Sequence, residues 1–277
     1  MLYGCRVQLL SADEVWKRVE SLSRARIGGV IATDGDGTLW SGDVGEDLFH
    51  AFLDRGRVET CAAEEMRREA REHAISDAGS GPEVARRIYD AYLGGRYPEE
   101  RICELMTWCF AGWRRDEVRS FAHDVAARAG VAERFQDEVV HVLDRARAAR
   151  IEVFLVSASP IAIVAEAGSL AGFAEARVIA AQPRYDGGVM VPRVERPIPY
   201  GAGKVTRLRE RVGADAVFHA AFGDNAFDVD LLASASLAVA VRPKPRLRDR
   251  AHTLKGLIEL EPREVRRGAV PSRPPLL

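Results

Sequence analysis

Asp34-Gly35-Asp36-Gly37-Thr38 places two carboxylates one residue apart where an apolar run beginning at Gly29-Val30 stops. Such a run suits a buried strand, and two acids on the turn that leaves it can converge on one divalent cation. Hard cations such as Mg²⁺ take oxygen ligands and keep phosphate oxygens in their remaining coordination positions. Gly35 and Gly37 permit a tight turn, and Thr38 adds a hydroxyl beside the acids. An acidic surface turn is the plain alternative, since Asp and Gly are ordinary turn residues. A calcium loop is excluded, because the position that needs Gly is Leu39 and the position that needs a bidentate Glu is Gly45.

Three later segments carry compatible groups. Ile151 to Val156 is a β-rich run ending at Ser157-Ala158-Ser159-Pro160, with Ile161 to Leu170 readable as the following helix. A hydroxyl and backbone N–H groups there can hold a phosphoryl oxygen, although Ser157 alone could be a plain helix cap. Gly201-Ala202-Gly203-Lys204 is not a phosphate loop of the Walker type: Ile198 stands where its first Gly belongs, and Val205 where Ser or Thr belongs. Lys204 at a helix start is either a solvated lysine or a cation for phosphoryl oxygens. Only four of the 40 Lys and Arg residues are lysine, namely Lys17, Lys204, Lys244 and Lys255, so a lysine in this window is an uncommon event. Finally, Val217 to Phe222 ends in Gly223-Asp224-Asn225-Ala226-Phe227-Asp228, two acids four apart at a strand-to-helix turn. Acids at a helix N-terminus are also sensible without any ligand.

In this order the four segments resemble the motifs of the haloacid dehalogenase superfamily of phosphohydrolases. That resemblance covers about residues 27–41 and 131–247. It implies a nucleophile at Asp34 and a general acid/base at Asp36. Ser157, Ala158, Lys204, Gly35 and Thr38 are implied to bind phosphate. Mg²⁺ is implied as cofactor, held by the Asp34 carboxylate, the Asp36 backbone carbonyl and Asp224, with Asp228 in support. Asp36 argues against the dehalogenase branch, which lacks that acid. An early helical insertion and the spacing of Asp224 and Asp228 are similar to the phosphoserine phosphatase branch. There an acid nine positions after the nucleophile meets the substrate amine; here that position is Asp43, with Glu46 close by. Phe227 stands where that branch often has Asn. The expected activity is a phosphomonoesterase on a small phosphorylated metabolite, phosphoserine-like or an amino-alcohol phosphate, acting through an aspartyl-phosphate. Two other readings share the motifs: a phosphotransferase with an acceptor other than water, and a non-catalytic binding module of the same fold. Arg67, Arg68, Arg86 and Arg87 could meet a substrate carboxylate, but each could equally be solvated surface.

The elements that must position these groups alternate strand and helix, which implies an α/β fold: a three-layer Rossmann-like parallel sheet with the site at the strand carboxyl ends. Ser11 to Glu14 is a capping box opening a helix with Val15, Trp16, Val19 and Leu22 on one face. Five helical stretches, 45–53, 61–75, 82–93, 98–111 and 114–129, follow the Asp34 turn with almost no strand pattern. Residues 1–41 and 131–277 are therefore expected to form the catalytic core, with a tail from about 271 disordered, and residues 42–130 an all-helical cap. Val131 to Arg150 reads as one helix, 177–181 as a strand, 185–191 as a hairpin and 237–241 as a further strand. The 277 residues suffice for a large core. A net charge of −1 makes no electrostatic case for nucleic acid or a membrane surface. No stretch approaches the roughly 20 apolar residues of a membrane span, and neither CxxC pairs nor a leader pattern occurs. A cytoplasmic protein with free thiols and a small-molecule phosphomonoester as its partner is the expectation.

Overall fold

The computed structural model describes residues 7–263. The expected disordered tail, the first residues of the chain and Cys5 lie outside the described residues.

The elements run β1 (Gln8–Leu10), α1 (Ala12–Ala25), β2 (Val30–Thr33), α2 (Val44–Asp54), α3 (Thr60–Glu72), α4 (Gly81–Leu93), α5 (Glu99–Trp108), α6 (Arg115–Arg128), α7 (Asp137–Ala148), β3 (Glu152–Pro160), α8 (Ile161–Leu170), β4 (Val178–Ala181), β5 (Pro183–Asp186), β6 (Val189–Val194), α9 (Ala202–Val212), β7 (Phe218–Gly223), α10 (Val229–Ala233), β8 (Ala235–Val241), α11 (Pro245–Arg250) and β9 (Ile258–Leu260). Seven strands form one sheet in the order β1-β9-β8-β7-β2-β3-β4, with every neighbouring pair parallel. Alternate side chains of the central strands feed opposite layers. Ile31, Val153, Leu155, Ala220 and Phe222 pack in one, Val30, Ala32, Phe154, Val156 and Ala221 in the other. Burial on both faces explains why these strands read as continuous apolar runs and not as alternating ones.

The strand carrying Asp34 is central, between β3 and β7, which brings the ends of all three together. The chain leaves β2 in one direction through β3 and returns on the other side at β7, the kind of switch point where open α/β sheets bind ligands. The β3–β4 register shifts between Val156 and Pro160, so Ser157 to Ser159 stand out of regular pairing at the strand end. Such irregularities re-aim side chains next to sites.

Between β2 and β3 the insertion is helical, as expected, and an aromatic cluster of Phe49, Phe52, Phe110, Trp113 and Phe121 knits α2, α6 and the segment after α5 together. Two details differ from the sequence reading. The β5–β6 hairpin, far downstream, joins the insertion: Gly112 N–H donates to Met190 O and Met190 N–H to Trp113 O. The expected helix over 131–150 is interrupted, because Gln136 N–H donates to Leu39 O and Phe135 sets its ring edge-on to Trp40. Backbone pairing with the segment after the Asp34 turn thus outweighs local helical preference, and the two connections of the insertion run side by side.

Candidate active site

β2 delivers Asp34 into a fully enclosed position, where its backbone N–H donates to Phe222 O of β7. The turn that follows is closed by Thr38, Leu39 and Trp40 N–H groups, all directed at Gly35 O. Gly37 adopts φ 81°, and a Cβ there would lie 2.2 Å from Asp224 Oδ2, so the turn can approach the second acidic strand end only without a side chain.

Asp34, Asp224 and Asp228 bring ligand oxygens within 4.8 Å of one another, all buried. Lys204, fully buried, reaches this cluster from the first turn of α9: its Nζ donates to Asp34 Oδ1 at 2.5 Å and to Asp228 Oδ1 at 2.6 Å. Asp228 Oδ2 accepts the backbone N–H groups of Asp224 and Asn225, so Asp228 buttresses the turn as well as the lysine. Two buried carboxylate oxygens remain without a partner, Asp34 Oδ2 and Asp224 Oδ1, and the Thr38 hydroxyl is likewise unpartnered. Orphaned buried carboxylate oxygens are costly unless something binds them, and hard oxygen donors gathered this closely fit a Mg²⁺-sized ion.

The charge balance supports the same conclusion. Burial, then the Asp228 carboxylate, hold the Asp34 carboxyl well above its usual range, with Lys204 pulling the other way. Burial and Asp228 likewise push Asp224 up to about 6. For Lys204, burial acts against the charge, yet Asp228 and Asp34 outweigh it and raise its pKa. We take the ammonium as charged: it faces more carboxylates than it can balance, and a bound proton or a divalent cation must supply the difference.

Asp36 points elsewhere. Its Oδ1 accepts from Trp40 Nε1 at 2.8 Å and from Val44 N–H at 2.7 Å, and its Oδ2 from the hydroxyls of Ser157 at 3.3 Å and Ser159 at 2.7 Å. Ser159 N–H donates to Ser157 Oγ. The second acid of the motif is therefore held by β3 and by the first residue of α2. Its side chain is separate from the Asp34–Asp224–Asp228 cluster, so only its backbone is left for the cation role the resemblance implied. Ala158 is buried beside Ser157 in the strand end, and Gly35 packs under the Trp40 ring.

Asp43 caps α2, its Oδ1 accepting from Glu46 N–H, and burial with the nearby Asp36 charge raises its pKa well above the ordinary value. Glu46 lies near Tyr89 and Tyr92, whose phenols are raised by burial first, then by Glu46 at Tyr89 and by Glu99 followed by Glu46 at Tyr92. Three further residues are brought to this region by the fold. Lys244 Nζ lies 2.9 Å from Asp224 Oδ2. Glu99, at the start of α5, accepts from the Tyr200 hydroxyl at 3.3 Å. Phe227 stacks near Tyr200, with Lys204 Nζ 4.9 Å from its ring centre. A cleft of about 660 Å³ between Tyr92, Pro98 and Glu99 on one side and Asn225, Lys244 and Arg246 on the other opens to solvent. None of Arg67, Arg68, Arg86 or Arg87 lines it.

A family model described as haloacid dehalogenase-like hydrolase matches residues 31–233. Among solved structures, the chain is similar to a protein of unknown function from Bordetella pertussis Tohama I, at 22% identity and TM-score 0.64, covering 84% of this chain and 97% of that one. It is also similar to a functionally unknown protein from Anaerococcus prevotii DSM 20548, at 14% identity and TM-score 0.62, covering 91% and 92%. A phospho-aspartyl intermediate analogue of phosphoserine phosphatase matches at 16% identity and TM-score 0.51, covering 86% and 95%. At these identities the likeness is one of fold.

Proposed function

The chain belongs to the haloacid dehalogenase-like hydrolase family, and from that premise we propose that it is a Mg²⁺-dependent phosphomonoesterase acting through an aspartyl-phosphate on Asp34. The observation that carries the reading is the pairing of Asp34 with Lys204 beside two unpartnered carboxylate oxygens. Asp34 Oδ2 and Asp224 Oδ1 would hold the cation, with Asp228 bracing Lys204 and the Asp224 turn. When bound, the cation polarises phosphoryl oxygens and offsets the charge of the carboxylates around it.

The protein's own groups divide the remaining work. A carboxylate oxygen of Asp34 attacks phosphorus in line and forms the acyl-phosphate. Asp36 gives a proton to the leaving oxygen and later takes one from the attacking water. Lys204, Ser157 Oγ and backbone N–H groups at Gly35 and Ala158 hold the transferred phosphoryl oxygens, and Thr38 steadies the turn. Phosphate-monoester hydrolysis needs acceleration up to about 10²¹-fold, so preorganised charge of this kind is required and not ornamental.

The substrate class favoured is a small metabolite carrying an amine, phosphoserine-like or an amino-alcohol phosphate. Asp43, Glu46 and Glu99, set among Tyr89, Tyr92 and Tyr200, make one side of the surroundings acidic and aromatic, opposite Lys244 and Arg246. Such surroundings stabilise an ammonium group. The insertion over 42–130 acts as the cap that excludes water and selects substrate, with the rest of the chain as core. Phosphate release from a panel of phosphomonoesters, with Mg²⁺ or EDTA and beside Asp34→Asn, tests the proposal. Metal-dependent release from an amine-bearing substrate, absent in the variant, is expected. Release that survives Asp34→Asn would remove the nucleophile.

A further inference from the structure

Lys244 is one of four lysines in the chain, and like Lys204 it ends on a carboxylate of the acidic cluster. The two ammonium groups divide the cluster in a regular way. Lys204 takes Asp34 Oδ1 and leaves Oδ2 unpartnered; Lys244 takes Asp224 Oδ2 and leaves Oδ1 unpartnered. Asp34 and Asp224 thus each give one oxygen to a lysine and keep the other unpartnered. Their settings differ, however. The Lys204 side chain is wholly enclosed, whereas that of Lys244 is 51% exposed and lines the solvent cleft.

The backbone fixes where Lys244 starts. Its N–H donates to Asp224 O at 2.8 Å, and prolines flank it at 243 and 245. A lysine also fits better than an arginine, because a compact point charge on a flexible stem can leave one acceptor and turn outward. Lys204 is engaged by Asp34 and Asp228, and Lys244 is the cation paired with Asp224.

We propose that Lys244 is a built-in counter-ion of the cation site. It balances Asp224 while the site is empty and, acting across the same carboxylate, weakens divalent-ion binding. This inference rests on the cation reading given above, and it makes Lys244 a positioning residue, not a catalytic one.

The test is Mg²⁺ titration calorimetry on the whole protein without substrate, comparing the native chain with Lys244→Met and Lys244→Arg. Removing the like charge beside the ion is expected to tighten Mg²⁺ binding by about tenfold or more, since nearby charges couple strongly even at partly screened sites. Lys244→Arg, which keeps the charge, is expected to stay within about threefold of the native affinity. In metal-free buffer Lys244→Met is expected to melt below the native protein and to gain more in Tm from saturating Mg²⁺, a readout independent of turnover. Lys244→Gln replaces the Met variant where that one does not fold, with the same expectation. An affinity unchanged or weakened in the charge-removed variant overturns the counter-ion role. A native protein that binds no Mg²⁺ overturns the cation reading itself, so the two failures are distinguishable.

Discussion

Replacing Lys204 with Met exposes how much of the site depends on one buried charge. The side chain is fully enclosed, with Nζ at 2.5 Å from Asp34 and 2.6 Å from Asp228, and those two acids are themselves 2% and 0% exposed. Met fills a similar volume, so the loss is electrostatic. Asp34 Oδ1 loses its partner while Oδ2 already has none, and Asp228 keeps only its two backbone donors. Breaking one side of a buried ion pair costs about 3–5 kcal/mol, because the partner charge stays behind. Against a total of roughly 5–15 kcal/mol for an ordinary domain, that is a large fraction. Urea unfolding in EDTA is the assay, with Lys204→Met, Asp228→Asn and the double variant. The double variant is expected to be more stable than Lys204→Met alone by about 1 kcal/mol or more, since the stranded charge is gone. A loss below about 1 kcal/mol in Lys204→Met, or no recovery in the double variant, would refute the argument that Lys204 is a buried charge-balancer. Turnover should fall by about 10²–10³ in either case, as for removal of one preorganised donor.

The remaining predictions use the same electrostatics. Asp34→Asn should abolish phosphate release yet melt no lower than the native protein in EDTA, because it removes one of the crowded carboxylates; a collapse in Tm would contradict this. Asp224 has a folded pKa of about 6 against an ordinary 3.8, so between those values the native state binds more protons than the unfolded chain. Metal-free stability therefore falls as pH rises through that window, by about 3 kcal/mol from this group. Mg²⁺ needs the ionised form, so its stabilising effect should grow between pH 5 and 7.5; an equal or larger Tm gain at pH 5 would count against the reasoning. Ser159→Ala removes the 2.7 Å hydrogen bond to Asp36 Oδ2. It should lower kcat about tenfold with KM little changed, and steady-state kinetics showing the reverse pattern would reassign Ser159 to substrate binding.

Much of this site was legible in the sequence because its parts are local. Asp34, Asp224 and Asp228 each sit on a turn after a short apolar strand, and Lys204 on the first turn of a helix, so their order along the chain carried the family resemblance that pointed to them. The insertion was legible for a similar reason, as five helical patterns separated by Gly and Pro. What stayed hidden depends on long-range pairing. β1 and β9 are three residues each and have no pattern until they lie beside each other. The break at Phe135 and Gln136 exists because Leu39 and Trp40, almost a hundred residues earlier, accept that segment into a backbone bridge.

Ser159 and Lys244 were hidden differently, because each lies in a stretch whose local features had another explanation. Ser159 follows Ser157 by two residues in a strand end, so both side chains fall on one face, and the irregular register there turns both hydroxyls onto Asp36. Lys244 lies between two prolines that end β8, and read locally it is a loop residue. The scarcity of lysine was the available signal. In a chain that uses arginine almost everywhere, half of the lysines converge on one acidic cluster, each ending on a carboxylate as a compact point charge. Residue choice against the chain's own habit was thus the local signal that pointed towards the cluster, alongside the motif order.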